Sequence, residues 1–402
     1  MSEQILAHFA DKLARLKQAH NHRSFRQLQH QGTHIHLGGQ KLVNLASNDY
    51  LGVASDERLQ AEFLASQHEY LPLGSSSSRL LTGNFGVYES LEARMSSLFL
   101  GRSCLLFNSG YHVNVGILPA ICDARTLILA DKLVHASIID GMRLAAANGT
   151  KCVRYQHQNF TQLETLIQKY HDDKDIERIV IVTESIFSMD GDVTDLTALV
   201  RLKTSHPKLM LYIDEAHAIG VCGERGLGCS EVFGCIDEID LIVGAFGKAM
   251  ASVGGYVICH ETIKDYLINA MRPLIFSTAL PPLNIAWTAF VLDKIITMQS
   301  ERARLKQRYE QLITHIKSLG LECPSNSQIV PIILKDNERT MRATAQLAEQ
   351  GFFVLGVRPP TVPQNQSRLR ICLNSAISDD EFERFCQVIT AFGDGDAWDA
   401  KV

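Results

Sequence analysis

A chain of 402 residues, 21% charged and 46% hydrophobic with a net charge of −5, is long enough for two hydrophobic cores and has no basic excess suited to nucleic acid. Its apolar runs are too short and too interrupted to cross a membrane, and ten cysteines without a CxxC pair suit reduced thiols in a cytoplasmic protein, not a disulfide scaffold or a zinc site. The opening stretch, MSEQILAHFADKLARLKQAH, has amphipathic helical spacing and acidic residues, which fits neither a signal nor a transit peptide.

Further along, short β-rich runs alternate with helical patterns: SCLLF (103–107), TLILA (126–130), CVRYQ (152–156), RIVIVTES (178–185), LMLYID (209–214), LIVGAF (241–246) and GYVIC (255–259). Seven such runs separated by helices predict an α/β fold with a mostly parallel sheet covered on both faces. From about residue 285 the texture changes. A long helical stretch (284–320) leads into strands at QIVPIILK, FFVLGVR and SRLRICLN, with helices near 339–350 and 378–392, which predicts a small α+β domain. The chain is read as an N-terminal helix and arm (1–45), a large domain (46–285) and a small C-terminal domain (286–402).

In an open parallel sheet, ligands sit beyond the carboxyl ends of the strands, and the chemistry-bearing residues cluster there. Asp214 closes the apolar run LMLYID, and 34 positions later Lys248 stands in GAFGKAMASVGG, flanked by glycine and small residues. A lysine that forms a Schiff base with pyridoxal 5′-phosphate (PLP) needs a carboxylate elsewhere to keep the pyridine nitrogen protonated, and these two residues fit the two jobs. DEAH (214–217) also spells a nucleotide-hydrolysis motif, but that reading needs a GxxxxGK[ST] loop, and the chain has none.

Four further segments bear on the same site. FNSGYHVN (107–114) follows a strand and opens a helix, so the amides of Gly110 and Tyr111 suit a phosphate, although a serine N-cap with a turn glycine accounts for the same letters. DKLVHAS (131–137) sets His135 beyond a strand end, where it could stack on an aromatic ring or be merely structural. TESIFSMDGD (183–192) sets Ser188 after another strand, and Arg370 lies on SRLRICLN, where its fork of donors suits a carboxylate.

Taken together with LASNDYLG (45–52), GSSSSRLLTGN (74–84) and FSTALPP (276–282), these motifs resemble the α-oxoamine synthases over residues 40 to 390. These are fold-type I PLP enzymes that join an amino acid to an acyl thioester and release carbon dioxide. The resemblance implies a homodimer with shared sites. GSSSSRLLTGN, FSMDGD and RPPTVP (358–363) point within the family to L-alanine and a pimeloyl thioester, carried by coenzyme A or by acyl carrier protein. Glycine C-acetyltransferase and 5-aminolevulinate synthase share the lysine and the aspartate, so the core motifs leave those activities open. A catalytically silent cofactor-binding regulator is the alternative from another class, opposed by the joint retention of Lys248, Asp214, His135 and Arg370.

By matching position, the resemblance assigns Lys248 to bonding the cofactor and moving the Cα proton, Asp214 to the ring nitrogen and His135 to the ring face. It assigns His217 and Ser188 to the ring oxygen, Gly110 and Tyr111 to the phosphate, and Thr278 with Ser277 to the neighbouring subunit's site. Arg370 takes the amino-acid carboxylate, while Asn48, Thr361 and Arg23 are substrate-binding residues. Two departures stand out. Ala245 occupies a position where a threonine or serine commonly bonds the phosphate, and Ala251 stands where glycine is common, so its methyl is expected to narrow the pocket or shift the backbone.

Overall fold

The structure, a computed structural model, describes residues 2–19, 21–67 and 71–393. Met1 and His20 of the expected N-terminal helix, and 394–402 of the expected C-terminal domain, lie outside the described residues. The chain divides into two compact units, one of Asn48–Ser188 with Asp192–Ala303, the other of Met1–Ser47, Met189–Gly191 and Arg304–Val402.

In chain order the elements are α1 (Glu3–Gln18), β1 (Gln29–Gln31), β2 (His34–Leu37), β3 (Gln40–Asn44), α2 (Glu57–Ser66), α3 (Gly86–Leu98), β4 (Ser103–Phe107), α4 (Gly110–Ile121), β5 (Thr126–Asp131) and α5 (Ala136–Ala147). They continue with β6 (Lys151–Tyr155), α6 (Phe160–His171), β7 (Arg178–Glu184), α7 (Leu196–Ser205), β8 (Leu209–Asp214), α8 (Cys229–Val232), β9 (Leu241–Ala245), β10 (Gly255–Cys259), α9 (Glu261–Ala270), α10 (Arg272–Ile275) and α11 (Pro282–Ile295). The last are α12 (Gln299–Ser318), β11 (Ile329–Lys335), α13 (Asn337–Glu349), β12 (Phe352–Phe353), β13 (Leu355–Val357), β14 (Ser367–Cys372) and α14 (Asp379–Gly393).

The larger unit holds the seven-stranded sheet, in the order β4-β10-β9-β8-β7-β5-β6. Strands β6, β5, β7, β8 and β9 run parallel, whereas β10 is antiparallel to both β9 and β4. All seven expected strands are present with ends within a residue or so of the expected ones. Their unbroken apolar runs reflect burial on both faces: every residue of β5 is buried, and Leu127, Ile128 and Leu129 have no exposed surface. One face packs on α4 and α5 through Val113, Ile117, Leu118, Ile138 and Met142.

The smaller unit holds two sheets, β1-β2-β3-β12 and β11-β14-β13. The expected single strand FFVLGVR is divided: β12 pairs parallel with β3, while β13 pairs antiparallel with β14, so the run serves two sheets. The expected continuous helix over 284–320 is also interrupted, with α11 ending at Ile295 and α12 starting at Gln299.

The three-part division expected from composition therefore differs from the two units observed. The 285/286 boundary falls inside α11, and the chain changes unit within α12 instead. The N-terminal arm joins the C-terminal residues through backbone hydrogen bonds, Val43 N donating to Gly351 O at 2.9 Å and Cys372 N to Leu45 O at 2.8 Å. No helix among the described residues is long and apolar enough to cross a membrane.

Ile128 lies in β5 between two parallel neighbours with no exposed surface. Ile128→Ala is expected to cost about 2–5 kcal/mol and Ile128→Val about 0.5–1.5 kcal/mol, read as shifts in the urea midpoint. Equal shifts for the two variants would mean that the core collapses around the lost volume.

Candidate active site

Strand order brings the motifs together at one sheet edge. Following β4, Ser109 caps α4 by accepting from the His112 amide at 3.1 Å, and Gly110 begins the helix. A Cβ on Gly110 would come within 2.9 Å of the Ala245 Cβ, and one on Gly255 within 2.8 Å of the Gly110 nitrogen. The ends of β9 and β10 thus press against the start of α4, and only glycine permits that approach. The first-turn amides of a helix have no intrahelical acceptor, so this turn suits an anion.

Asn114, on the same helix, is the residue that sequence reasoning missed. Its Oδ1 accepts from Tyr212 Oη at 2.6 Å, and its Nδ2 donates to Asp214 Oδ2 and to Ser137 Oγ, each at 2.9 Å. All of its polar capacity toward these partners is directional, and a proton count follows. Ser137 Oγ accepts from Asn114, so its own proton goes to His135 Nδ1 at 2.7 Å, which also accepts from the Ser137 amide at 3.2 Å. With Nδ1 accepting, the neutral His135 ring carries its proton on Nε2. Burial lowers the His135 pKa below its ordinary 6.5, opposed by the Asp214 charge and assisted by that of Lys248. His135 is therefore held neutral at pH 7.

Asp214 closes β8 and is 7% exposed; its Oδ1 accepts from the Ala216 amide at 2.9 Å and its Oδ2 from Asn114. The register of β7 on β8 sets Glu184 opposite Asp214. Glu184 is buried, and its Oε1 has no hydrogen-bond partner among the described residues. Burial first, and the Asp214 charge second, push this carboxyl well above its usual range, although Lys248 and the His135 amide pull the other way. Of these two neighbouring acids, Glu184 is the one that burial and the adjacent charge make harder to ionise. Lys248, three residues past β9 and half-buried, is close enough for its charge to act on both His135 and Glu184.

The remaining expected residues sort by their surroundings. His217 is buried and its Nδ1 lies 2.8 Å from Tyr50 Oη, which donates to Asn48 Oδ1 at 3.0 Å, so Tyr50 joins two expected site residues. Ser188 is half-buried just beyond β7. The Tyr111 side chain points elsewhere: it is 48% exposed and donates to Asp140 Oδ2 at 2.6 Å, leaving only its amide at the helix start. That bond raises the Tyr111 pKa and lowers that of Asp140. Thr278 is exposed, and its carbonyl accepts from Asn108 Nδ2 at 2.7 Å beside the α4 turn.

In the smaller unit, Arg370 is buried on β14 and donates to Cys372 Sγ at 2.9 Å. Arg23 Nη2 donates to Thr361 Oγ1 at 2.9 Å, which brings together two expected substrate residues 338 positions apart. Back in the larger unit, Ala251 keeps a left-handed backbone, φ +47°, with its amide donating to Lys248 O and its carbonyl accepting from Trp287 Nε1, both at 2.8 Å. The glycine-like conformation of the lysine loop persists despite the methyl, which costs about 1–2 kcal/mol.

This arrangement, an acid at a strand end, a lysine on the next strand's loop and a helix start for an anion, defines a class. The chain belongs to the aminotransferase class I and II family, whose profile matches residues 40–389. It is 49% identical to the 8-amino-7-oxononanoate synthase of Haemophilus ducreyi over 94% of this chain and 98% of the relative. It is 51% identical to a Pasteurella multocida protein provisionally given the same name, over 95% of this chain and 98% of that one. Among solved structures it resembles a serine palmitoyltransferase from S. paucimobilis carrying a PLP–myriocin aldimine, with a TM-score of 0.86 and 25% identity over 96% of each chain. It also resembles 8-amino-7-oxononanoate synthase from Francisella tularensis, with a TM-score of 0.72 and 28% identity over 87% of this chain and 97% of that one.

Two outcomes test this geometry. Asn114→Leu should destabilise by about 1–3 kcal/mol, because it strands the Tyr212 hydroxyl and one Asp214 lone pair, while His135 should keep its Nε2–H form through the Ser137 amide. An unchanged urea midpoint would show that Asn114 does not order the site. Ala251→Gly should stabilise by about 1 kcal/mol through relief of the left-handed methyl, less what glycine adds to the unfolded chain's freedom.

Proposed function

We propose that this chain condenses L-alanine with a pimeloyl thioester and releases carbon dioxide, using PLP, as an 8-amino-7-oxononanoate synthase does. The observation that carries the reading is the grouping of Lys248, His135 and the Asn114-supported Asp214 carboxylate at one sheet edge. The residues fit the cofactor: the glycine-walled start of α4 suits its phosphate, and a buried carboxylate with fixed donors suits a ring N–H. When bound, PLP supplies a ring that draws off the charge left on Cα as a proton or carbon dioxide departs.

The protein's own residues then have separate tasks. Lys248 would hold the cofactor through its amine and serve as the general base that moves the Cα proton. Asp214 would hold the proton of the ring nitrogen, and the neighbouring Glu184 is pushed by burial and by the Asp214 charge toward its neutral form. His135, neutral and locked by Ser137, would lie against the ring, and His217 and Ser188 would bond the ring oxygen. The amides of Gly110 and Tyr111 would hold the phosphate. Arg370 is assigned to the alanine carboxylate, and Asn48, Thr361 and Arg23 to substrate; the Arg23–Thr361 bond supports pairing the last two. The exposed Thr278 side chain supports a homodimer in which it completes the neighbouring site, and we place the enzyme in the cytoplasm.

The test is spectroscopic. Loaded protein should change its visible absorption on addition of L-alanine and release carbon dioxide only when pimeloyl thioester follows, and Lys248→Ala should abolish turnover. A response to glycine with short acyl donors would reassign the activity, and parallel assays with the coenzyme A and acyl-carrier-protein thioesters identify the donor. Ala245→Thr would restore a hydroxyl beside the Gly110 turn. A bond to a charged partner is worth about 1.5–3 kcal/mol, so PLP should bind roughly tenfold to a hundredfold more tightly. Unchanged affinity in a titration would show that the phosphate does not reach Ala245.

A further inference from the structure

Outside the residues assigned above, the larger unit contains a histidine bonded to carboxylates on both ring nitrogens. His157, two residues past β6, faces Asp131 Oδ1 through Nδ1 at 3.0 Å and Asp192 Oδ2 through Nε2 at 2.8 Å. A carboxylate oxygen accepts, so both ring nitrogens must donate, and the ring is an imidazolium. Asp131 from β5 and Asp192 from the segment after β7 are the charged groups that face it. Next to it, Gln158 adopts a left-handed backbone, φ +52°, in which its amide donates to Asp131 Oδ2 at 2.8 Å and its side chain donates to Asp192. A non-glycine residue is kept in that conformation only where surrounding contacts hold it.

The two carboxylates sit at the roots of two site-bearing turns. Asp131 ends β5, and its Oδ1 also accepts from the Leu133 amide at 2.8 Å, bending the chain toward His135 four residues on. Asp192 accepts through its carbonyl from the Phe187 amide at 3.1 Å, and Ile186 pairs with Val193. Ser188 directly follows Phe187, whose ring meets the His157 ring edge-on at 4.5 Å. One charged ring therefore fastens both turns.

We propose that His157 is a positioning residue for the cofactor, an imidazolium that locks the turn carrying His135 to the turn carrying Ser188. This rests on the PLP site proposed above. The two carboxylates raise the His157 pKa from 6.5 to about 10, against the opposing effect of burial. Its contribution to stability is accordingly complete below the ordinary value and is lost as pH rises through about 10.

The experiment compares wild-type protein with His157→Gln, Asp192→Asn and the double variant, using PLP itself as the probe. Misplacing ring contacts should weaken PLP binding roughly tenfold in each single variant and reduce the visible circular dichroism of bound PLP, with the double variant no worse than either single. The fall in unfolding midpoint between pH 9 and 11 should be smaller in His157→Gln than in wild type. PLP affinity and circular dichroism within twofold of wild type, with only stability reduced, would overturn the proposal by showing a structural role alone. These readouts need no alanine, so a failure of the proposed reaction shows up separately, in wild-type protein that binds PLP but does not respond to L-alanine.

Discussion

Burying the Asp214 carboxylate at the end of β8 removes most of its water, and the surrounding chain answers that cost with fixed donors. The Ala216 amide and Asn114 Nδ2 take its two oxygens. A second carboxylate is brought beside it by strand register, and burial together with the Asp214 charge pushes the Glu184 pKa up. Because Asn114 gives its other N–H to Ser137, the same residue that satisfies Asp214 also orients His135. One buried charge thus bears on two neighbours, on Glu184 through its field and on the Ser137–His135 pair through Asn114.

The parallel sheet makes this economy of placement possible. Adjacent parallel strands end at the same edge, and the chain leaving that edge carries the chemical groups: the Gly110 turn after β4, His135 after β5, Ser188 after β7, Asp214 at the end of β8 and Lys248 after β9. The antiparallel β10 has a different task. Its first residue, Gly255, abuts the Gly110 amide and brings the strand that leads to Lys248 against the start of α4. Ala245 lies at that junction, its Cβ against Gly110.

Much of this was legible in the amino-acid order. The seven strands of the large sheet were visible because strands buried on both faces read as unbroken apolar runs, and such runs end where water and function begin. Lys248 and Asp214 stood out as a pair suited to a Schiff base and a protonated ring nitrogen, and His135 through the motif that carries it. Asn114 did not, although it lies within SGYHVN, because an asparagine on a helix is ordinarily a surface residue and nothing local shows that Tyr212, 98 positions away, will point at it. The split of FFVLGVR between two sheets was equally hidden, since strand propensity carries no information about the pairing partner.

By itself the sequence determined which segments are strands and helices, which of them end in chemically active residues, and which family of reactions those residues suit, because periodicity and motif spacing are local properties. Tertiary structure decided what those residues do to one another. It turned the N-terminal arm toward the C-terminal sheets, set Glu184 against Asp214, fixed the His135 proton on Nε2 and placed His157 between two carboxylates. Each of these depends on distance and hydrogen-bond direction between residues far apart in the chain, and only folding sets those quantities.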